Sequence, residues 1–331
     1  MKAVWYDDNG PAREVLRTGD LPKPELQATE VLVRIHATAV NPSDTKSRSG
    51  AGVRSNAFPR VIPHQDGAGV IEAVGEGVDA SRVGERVWVY EAQLGRPFGC
   101  AAEYTAVPAV NAIRLPDTTG FDEGACLGVP ALTAHYCVTA DGPLTGQVVL
   151  VTGGAGAVGF YAIQFAKFEG ATVMATVRTE EQAEVARQAG ADHIIYRLNE
   201  DVVQRVADIT GIQTGRGIDR IIDVAFGANL ETSLKVLKPN GVIATYASDQ
   251  IPVATVPVWP LVGLNATVRF VLVYLMSRQA HDNAIAAVTA ALKNKTLKHH
   301  IGRRFTLDQI VDAHEALESG EVVGKIVMTI E

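Results

Sequence analysis

Cysteine is scarce in this chain. Three residues, Cys100, Cys126 and Cys137, among 331 are too few for a disulfide scaffold, and their number is odd. That usage fits a reducing, cytoplasmic compartment. None of the three stands in a C-x-x-C spacing, which excludes a four-cysteine structural zinc lobe. Long clean apolar runs are missing as well. The most apolar stretch, 251–276, is interrupted by Pro252, Pro257, Pro260, Asn265 and Arg269. A spanning helix needs about 20 mostly apolar residues, so the stretch reads as a buried loop and strand, and no membrane association is expected. The opening residues, 1–8, carry no apolar run with a cleavage site, and no targeting signal is expected. Basic charge is not in excess: 30 Lys and Arg against 37 Asp and Glu leave −7. A chain of that balance is not built to coat nucleic acid or an anionic membrane. Repeats and low-complexity tracts are absent.

What is present is ordinary globular material. Hydrophobic residues at 47% and charged residues at 20% exclude wholesale disorder, and the length predicts roughly two domains. The first third is β-rich. Segments 31–37, 69–74, 86–90 and 101–107 read as short strands punctuated by Gly and Pro, the texture of a rolled or closed β-domain. Past Leu115-Pro116-Asp117 the texture changes. Asp122 is positioned to cap a helix through 124–126, and 130–138 reads as a second helix. After Gly146, strands and helices alternate: strand 148–151, helix 158–169 stopped by Gly170, strand 172–177, helix 180–189, strand 193–196, helix 201–210, strand 217–224, helix 230–237, strand 241–246. This order predicts an α/β fold with a doubly wound parallel sheet. Helices 281–292 and 307–318 and a strand 324–330 form a tail that returns to the first domain. The expected division is 1–120 with 281–331, and 121–280.

The strongest motif is Val148-Val149-Leu150-Val151-Thr152-Gly153-Gly154-Ala155-Gly156-Ala157-Val158-Gly159. Gly154-x-Gly156-x-x-Gly159 sits between a strand and a helix, as dinucleotide binding demands. Glycine makes the turn, lets a pyrophosphate approach the backbone, and lets helix pack on strand. The helix N-terminus then offers unpaired N–H groups to phosphate. An NAD site places Asp or Glu at the end of the second strand, where it binds the ribose hydroxyls. Here that strand ends Val177-Arg178-Thr179, without an acid. A guanidinium grips a 2′-phosphate, so NADPH is the expected cofactor, with Arg178 and Thr179 at its phosphate.

Further motifs are Val40-Asn41-Pro42-Ser43-Asp44-x-x-x-Arg48-x-Gly50, Gln65-Asp66-Gly67-Ala68-Gly69-Val70-Ile71, Leu132-Thr133-Ala134 and the terminal Gly324-Lys325. Together with the glycine loop they resemble the zinc-free, zeta-crystallin-like quinone oxidoreductase branch of the medium-chain dehydrogenase/reductase superfamily. The resemblance runs over essentially the whole chain. It implies a GroES-like β-rich domain plus a Rossmann domain, with the active site between them. By position it implies Asn41 and Thr133 near the nicotinamide and Ala155, Gly156, Ala157 and Val158 at the pyrophosphate. It puts Tyr196 beside the adenine or its ribose. Phe226, Tyr246, Ala247 and Ser248 would line the cofactor, Val271 and Val273 would lie near the carboxamide, and Lys325 would reach the phosphates. The chain departs from the family at two places. Gln182 replaces a Lys often found after the second strand, and Ala51-Gly52-Val53 replaces a Tyr that often follows the Asn-Pro string. Zinc-bearing relatives use Cys where Asn41 stands, Gly-His-Glu where Pro63-His64-Gln65 stands, and Cys where Val129 falls. One surviving His64 does not make a tetrahedral site, so no metal is expected and His64 reads as a hydrogen-bonded interior residue.

Without a Lewis acid, oxidation of an unactivated alcohol is hard. Hydride transfer to a quinone or enone is easier, because the resulting oxyanion is delocalised. Asn41 either donates to that oxygen or holds the nicotinamide. Asp44, assigned with Asn41 to the catalytic set, is spaced i, i+4 from Arg48 and is expected to pair with it. Tyr104, Tyr136 and Tyr246 are possible proton donors with packing as the default. The leading function is an NADPH-dependent quinone oxidoreductase. The alternatives are a double-bond reductase for enals, enones or enoyl thioesters, and an NADPH-binding protein without turnover, crystallin-like or RNA-binding. The apolar stretch 268–275 at the far end of the sheet predicts a homodimer joined through the Rossmann domains.

Overall fold

The computed structural model describes residues 1–51 and 58–330. Gly52 and Val53 of the departure noted above lie outside the described residues. The chain divides into two compact units, Met1–Val129 with Ile285–Glu331, and Pro130–Ala284.

The first unit is built on a seven-stranded sheet. Its spine is the strand Glu30–Val40, which pairs antiparallel with Asp66–Val74, with Tyr104–Pro108 and with the C-terminal strand Lys325–Thr329. Ile326 lies opposite Val40. Arg86–Val89 and Ala112–Arg114 extend one side, and Ile301–Thr306 extends the other. The register of Glu30–Val40 against Asp66–Val74 slips at Ile35/Ala37. A bulge of this kind bends a sheet, and Gly69 fits there because a Cβ would run into the Arg34 carbonyl. Val31, Val33, Ile35, Ile71, Val87, Val89, Ile326 and Met328 fill the interior. The strand Ile301–Thr306 was not legible, because Gly302, Arg303 and Arg304 erase the alternation on which strand reading depends. The Asp122 cap is corrected. The helix is Phe121–Gly124, its N-cap is Gly120, and Glu123 accepts the Gly120 N–H at 2.7 Å.

The second unit holds a six-stranded parallel sheet. Its order is His193–Tyr196, Thr172–Val177, Val148–Val151, Ile218–Asp223, Leu237–Thr245, Thr267–Phe270. The chain runs outward from Val148–Val151 in one direction, then returns to its other side with Ile218–Asp223. This is the doubly wound topology, with the reversal between those two strands. Helix boundaries follow their capping residues. Thr179 accepts Gln182 N–H and opens Glu180–Ala189, which Gly190 closes at φ 104°. Asp201 caps Val202–Thr210, and Gly170 at φ 82° ends the turn after Ala157–Phe168. The helix expected at 230–237 starts earlier, as Phe226–Val236.

The apolar stretch 251–276 corrects the sequence reading. It forms the helix Val258–Leu264, a four-residue edge strand and a short 3-10 turn, Val273–Leu275. It is not a buried loop: Trp259 is 82% exposed and Phe270 70%. Pro257 precedes the helix instead of breaking it. Among the described residues no helix is long and apolar enough to cross a membrane.

Candidate functional site

In the parallel-sheet unit the carboxyl ends of the strands carry the nucleotide motif. Gly153 turns the chain after Val148–Val151 at φ 65°, a backbone conformation that favours glycine. A Cβ on Gly159 would run into the Gly153 carbonyl, and one on Gly154 would lie 2.7 Å from Ala175 Cβ. These two glycines set the close fit of loop, helix and neighbouring strand. Gly156 is different. It is the N-cap of Ala157–Phe168, and a Cβ there would meet only the Gly153 oxygen, at 3.3 Å. The first N–H groups of that helix have no intrahelical partner. The backbone of Ala155, Gly156, Ala157 and Val158 thus lies at a helix N-terminus, a position whose unpaired N–H groups favour an anion.

The loops beyond the next two strands are tied to each other. Phe226 N–H donates to the Ala247 carbonyl at 3.0 Å, and Gly227 N–H donates to Ser248 Oγ at 2.9 Å. Val271 N–H donates to the Thr245 carbonyl at 2.7 Å. Phe226, Tyr246, Ala247, Ser248 and Val271 thus converge at one end of the sheet, with Val273 two residues on. Thr133, also in this unit, is buried within the helix Gly128–Thr139. Tyr246 is half-buried, and desolvation holds its phenol well above the usual range. That suits packing better than proton donation.

Sequence reasoning missed Asp223. It ends its strand fully buried and accepts from Thr152 Oγ1 at 2.7 Å, Ala225 N–H at 3.2 Å and Asn229 Nδ2 at 2.6 Å. It therefore clasps the start of the glycine loop to the loop on the other side of the strand reversal. Only the order of strands in space reveals that partnership.

At the second strand's end, Arg178 is exposed and its N–H donates to Gln182 Oε1 at 2.8 Å. Gln182, standing where relatives often have Lys, closes the first helical turn. Thr179 Oγ1 serves as the helix cap. Tyr196 donates its hydroxyl to Glu180 and accepts Arg187 Nη2 at 3.2 Å. Glu180 is thereby occupied by Arg187 and Tyr196, while Glu181 beside it is exposed.

In the β-rich unit, Asn41 is the N-cap of Pro42–Ser49. Its Nδ2 donates to Asp66 Oδ2 at 2.8 Å, and its Oδ1 accepts the Lys325 ammonium. Lys325 Nζ lies 3.6 Å from Asp66 Oδ2, and Asp66 Oδ1 accepts Val129 N–H at 2.9 Å. All three side chains are buried. Lys325, expected at the phosphates, is turned inward and holds the Asn41 amide instead. The expected Asp44–Arg48 pair does not form. Asp44 accepts Asn41 N–H at 2.8 Å and Gln65 N–H at 3.2 Å, while Arg48 donates to the Gly10 carbonyl and to Glu318. Helical spacing allowed the pair, but burial beside backbone donors gave Asp44 other partners. Burial, and then the Asp66 charge, push the Asp44 carboxyl up to about 7.

His64, at φ 79°, is fully buried and makes a chain of hydrogen bonds. Thr38 Oγ1 donates to the Asp66 carbonyl at 2.7 Å, so it must accept from His64 Nδ1 at 3.1 Å. His64 Nε2 is then an acceptor for His314 Nε2–H at 2.9 Å. His314 Nδ1 is left buried with no partner among the described residues. Both nitrogens of His64 are committed, and among the described residues no group of three or more His, Cys, Asp or Glu is placed to hold a metal ion. A zinc site of the kind found in metal-bearing relatives does not fit these residues.

Comparison with known proteins adds the following. Residues 27–117 match the alcohol dehydrogenase GroES-like domain, and residues 189–328 match the zinc-binding dehydrogenase model. The quinone oxidoreductase of Pongo abelii is 30% identical over 336 residues, covering 100% of this chain and 98% of the relative. A 2-haloacrylate reductase from a Burkholderia species is 29% identical, covering 99% and 98%. Escherichia coli quinone oxidoreductase, solved in complex with NADPH, has a TM-score of 0.87 at 25% identity, covering 99% of this chain and 100% of that one. The β-rich unit is GroES-like and the parallel-sheet unit is of the Rossmann type.

Proposed function

We propose that this chain, which belongs to the zinc-free quinone oxidoreductase family of the medium-chain dehydrogenases/reductases, transfers hydride from NADPH to a quinone or a similar conjugated carbonyl acceptor. The observation that carries the reading is the glycine-loop backbone at the strand reversal, joined to a second-strand end, Val177-Arg178-Thr179, that offers an exposed arginine and holds no acid itself. Relatives named quinone oxidoreductases, and a neighbour solved with NADPH, support the same reading.

NADPH supplies the hydride when bound. The chain's own contribution is to hold and orient. The N–H groups of Ala157 and Val158 take the pyrophosphate at the helix N-terminus. Arg178, with the Thr179 hydroxyl, takes the 2′-phosphate by charge-assisted hydrogen bonds. Tyr196 flanks the adenosine, and the loops of Phe226, Tyr246–Ser248 and Val271–Val273 wall the nicotinamide end, with Thr133 beside it. Asn41 presents its remaining Nδ2–H in one fixed orientation, because Lys325 occupies its oxygen and Asp66 its other proton. Asp44 acts through Asn41 as a positioning residue, fixing the N-cap turn. No metal takes part.

NADPH oxidation followed with simple quinones and with enones tests this reading. Turnover of enones but not quinones would favour a double-bond reductase, the reading that the 2-haloacrylate reductase relative supports. Binding of NADPH without oxidation in either case would favour a crystallin-like role.

The assembly that fits the parallel-sheet unit is a homodimer. Thr267–Phe270 is an edge strand with open backbone groups, and Trp259, Val262, Phe270 and Leu275 stand exposed on the adjoining apolar surface. Three buried free cysteines fit a cytoplasmic site of action.

A further inference from the structure

We infer that Arg197 is a second arginine of the 2′-phosphate subsite, so that the phosphate is held between guanidinium groups from two neighbouring strands. This rests on the NADPH reading above and adds to it a residue that the motif does not reach. Three observations lead to it.

The first is register. Tyr196 lies opposite Val177 in the parallel pair of His193–Tyr196 and Thr172–Val177. Arg197 continues the ladder, donating its N–H to the Val177 carbonyl at 3.0 Å. Arg178 and Arg197 are therefore the first residues past the ends of adjacent strands, in matching positions. Neighbouring strands run about 4.8 Å apart, and a phosphate reaches two side chains across that spacing.

The second is the lack of other partners. Arg178 and Arg197 are both exposed, and neither guanidinium has an ion pair or hydrogen bond among the described residues.

The third is how the nearby acids are disposed. Glu180 accepts from Arg187 at 2.7 Å and takes the Tyr196 hydroxyl. Glu200 lies 2.8 Å from Arg205 and accepts Tyr196 N–H at 2.6 Å. Each has an arginine of its own, and neither is drawn to Arg178 or Arg197. Glu181, exposed in the first turn of Glu180–Ala189, is the remaining acid. Two like charges side by side repel unless an anion lies between them. A phosphate monoester carries about −1.5 to −2 charge, and the planar guanidinium fork suits its oxygens. The free hydroxyls of NADH offer no such charge.

The test measures binding of 2′,5′-ADP and of 5′-AMP by calorimetry to the wild type, Arg178→Ala, Arg197→Ala, Arg197→Lys and the double alanine variant. The exposure of both side chains makes loss of folding unexpected, and thermal melts check it. The expected result is a loss of about ten- to hundredfold in 2′,5′-ADP affinity for each alanine variant, the range of a charge-assisted hydrogen bond. Affinity for 5′-AMP stays unchanged, and Arg197→Lys recovers part of the loss. If Arg178→Ala weakens 2′,5′-ADP and Arg197→Ala does not, the inference about Arg197 fails while the NADPH reading stands. Equal weakening of both ligands by Arg197→Ala also overturns it, since Arg197 would then only shape the strand end. No preference of the wild type for 2′,5′-ADP over 5′-AMP would overturn the NADPH reading itself.

Discussion

Replacing His314 by Leu tests the buried histidine pair through the pH dependence of stability. In the folded chain His314 donates Nε2–H to His64, and its Nδ1 is buried with no acceptor for a second proton among the described residues. Burial, and then the nearby Arg48 charge, hold its pKa down to about 3, against 6.5 for the exposed group. A folded-state pKa below the unfolded value means that the unfolded chain binds the extra proton. Stability from the neutral ring is complete above pH 6.5 and is lost progressively as pH falls toward about 3. One pKa unit is about 1.4 kcal/mol, so lowering the pH from 7.5 to 5.0 removes about 2 kcal/mol through His314. Asp44 opposes this. Its carboxyl, pushed up to about 7 from 3.8, binds its proton in the folded state, so acidification over the same range adds about 3 kcal/mol. The wild-type curve therefore conceals both, and differences against variants are needed. Urea unfolding, read by the fluorescence of the three tryptophans, Trp5, Trp88 and Trp259, is to be measured at pH 7.5 and 5.0. The wild type should lose about 2 kcal/mol relative to His314→Leu on acidification, and gain about 3 kcal/mol relative to Asp44→Asn. A wild-type-minus-His314→Leu difference that is the same at both pH values would refute the assignment of a neutral, half-partnered His314.

Other expectations concern the cofactor, the metal and the assembly. Arg178→Ala should lower kcat/KM for NADPH by about ten- to hundredfold, through KM more than kcat. Its effect on NADH should be small, and equal losses with both cofactors in steady-state kinetics would make Arg178 a structural residue. Elemental analysis of the purified protein should find far less than one zinc per chain; near-stoichiometric zinc, with activity lost to a chelator, would contradict the site described here. Sedimentation should show a dimer at micromolar concentration, and Phe270→Asp, at an exposed edge-strand position, should shift it toward a 35 kDa species.

Much of the parallel-sheet unit was legible because its elements are bounded by local signals. Thr179, Gly190 and Asp201 mark helix ends through capping and φ, and the continuous apolar strands between them need no long-range information. The glycine loop is likewise a local device. The interior of the β-rich unit was not legible in the same way. Asn41, Asp66 and Lys325 meet from positions 25 and 284 residues away from Asn41 in sequence. Arg48 finds Glu318 across 270 residues, so its i, i+4 relation to Asp44 was a weaker guide than the sheet topology. Apolar composition at 251–276 was read as burial. At the edge of a sheet it has instead produced an exposed surface, because no later strand among the described residues pairs with Thr267–Phe270. Val177, beside Arg178, is 2% exposed. An acid meant to recruit NADH therefore belongs at 178, where it would not be buried.

Hydride transfer from NADPH to a quinone needs no metal in the site described above. Its most direct test is the initial rate of NADPH and of NADH oxidation by a simple quinone, with metal-free protein. The expected result is quinone-dependent oxidation of NADPH, with kcat/KM about ten- to hundredfold above that for NADH. Tight NADPH binding with no quinone-dependent oxidation, or a preference for NADH, would contradict it.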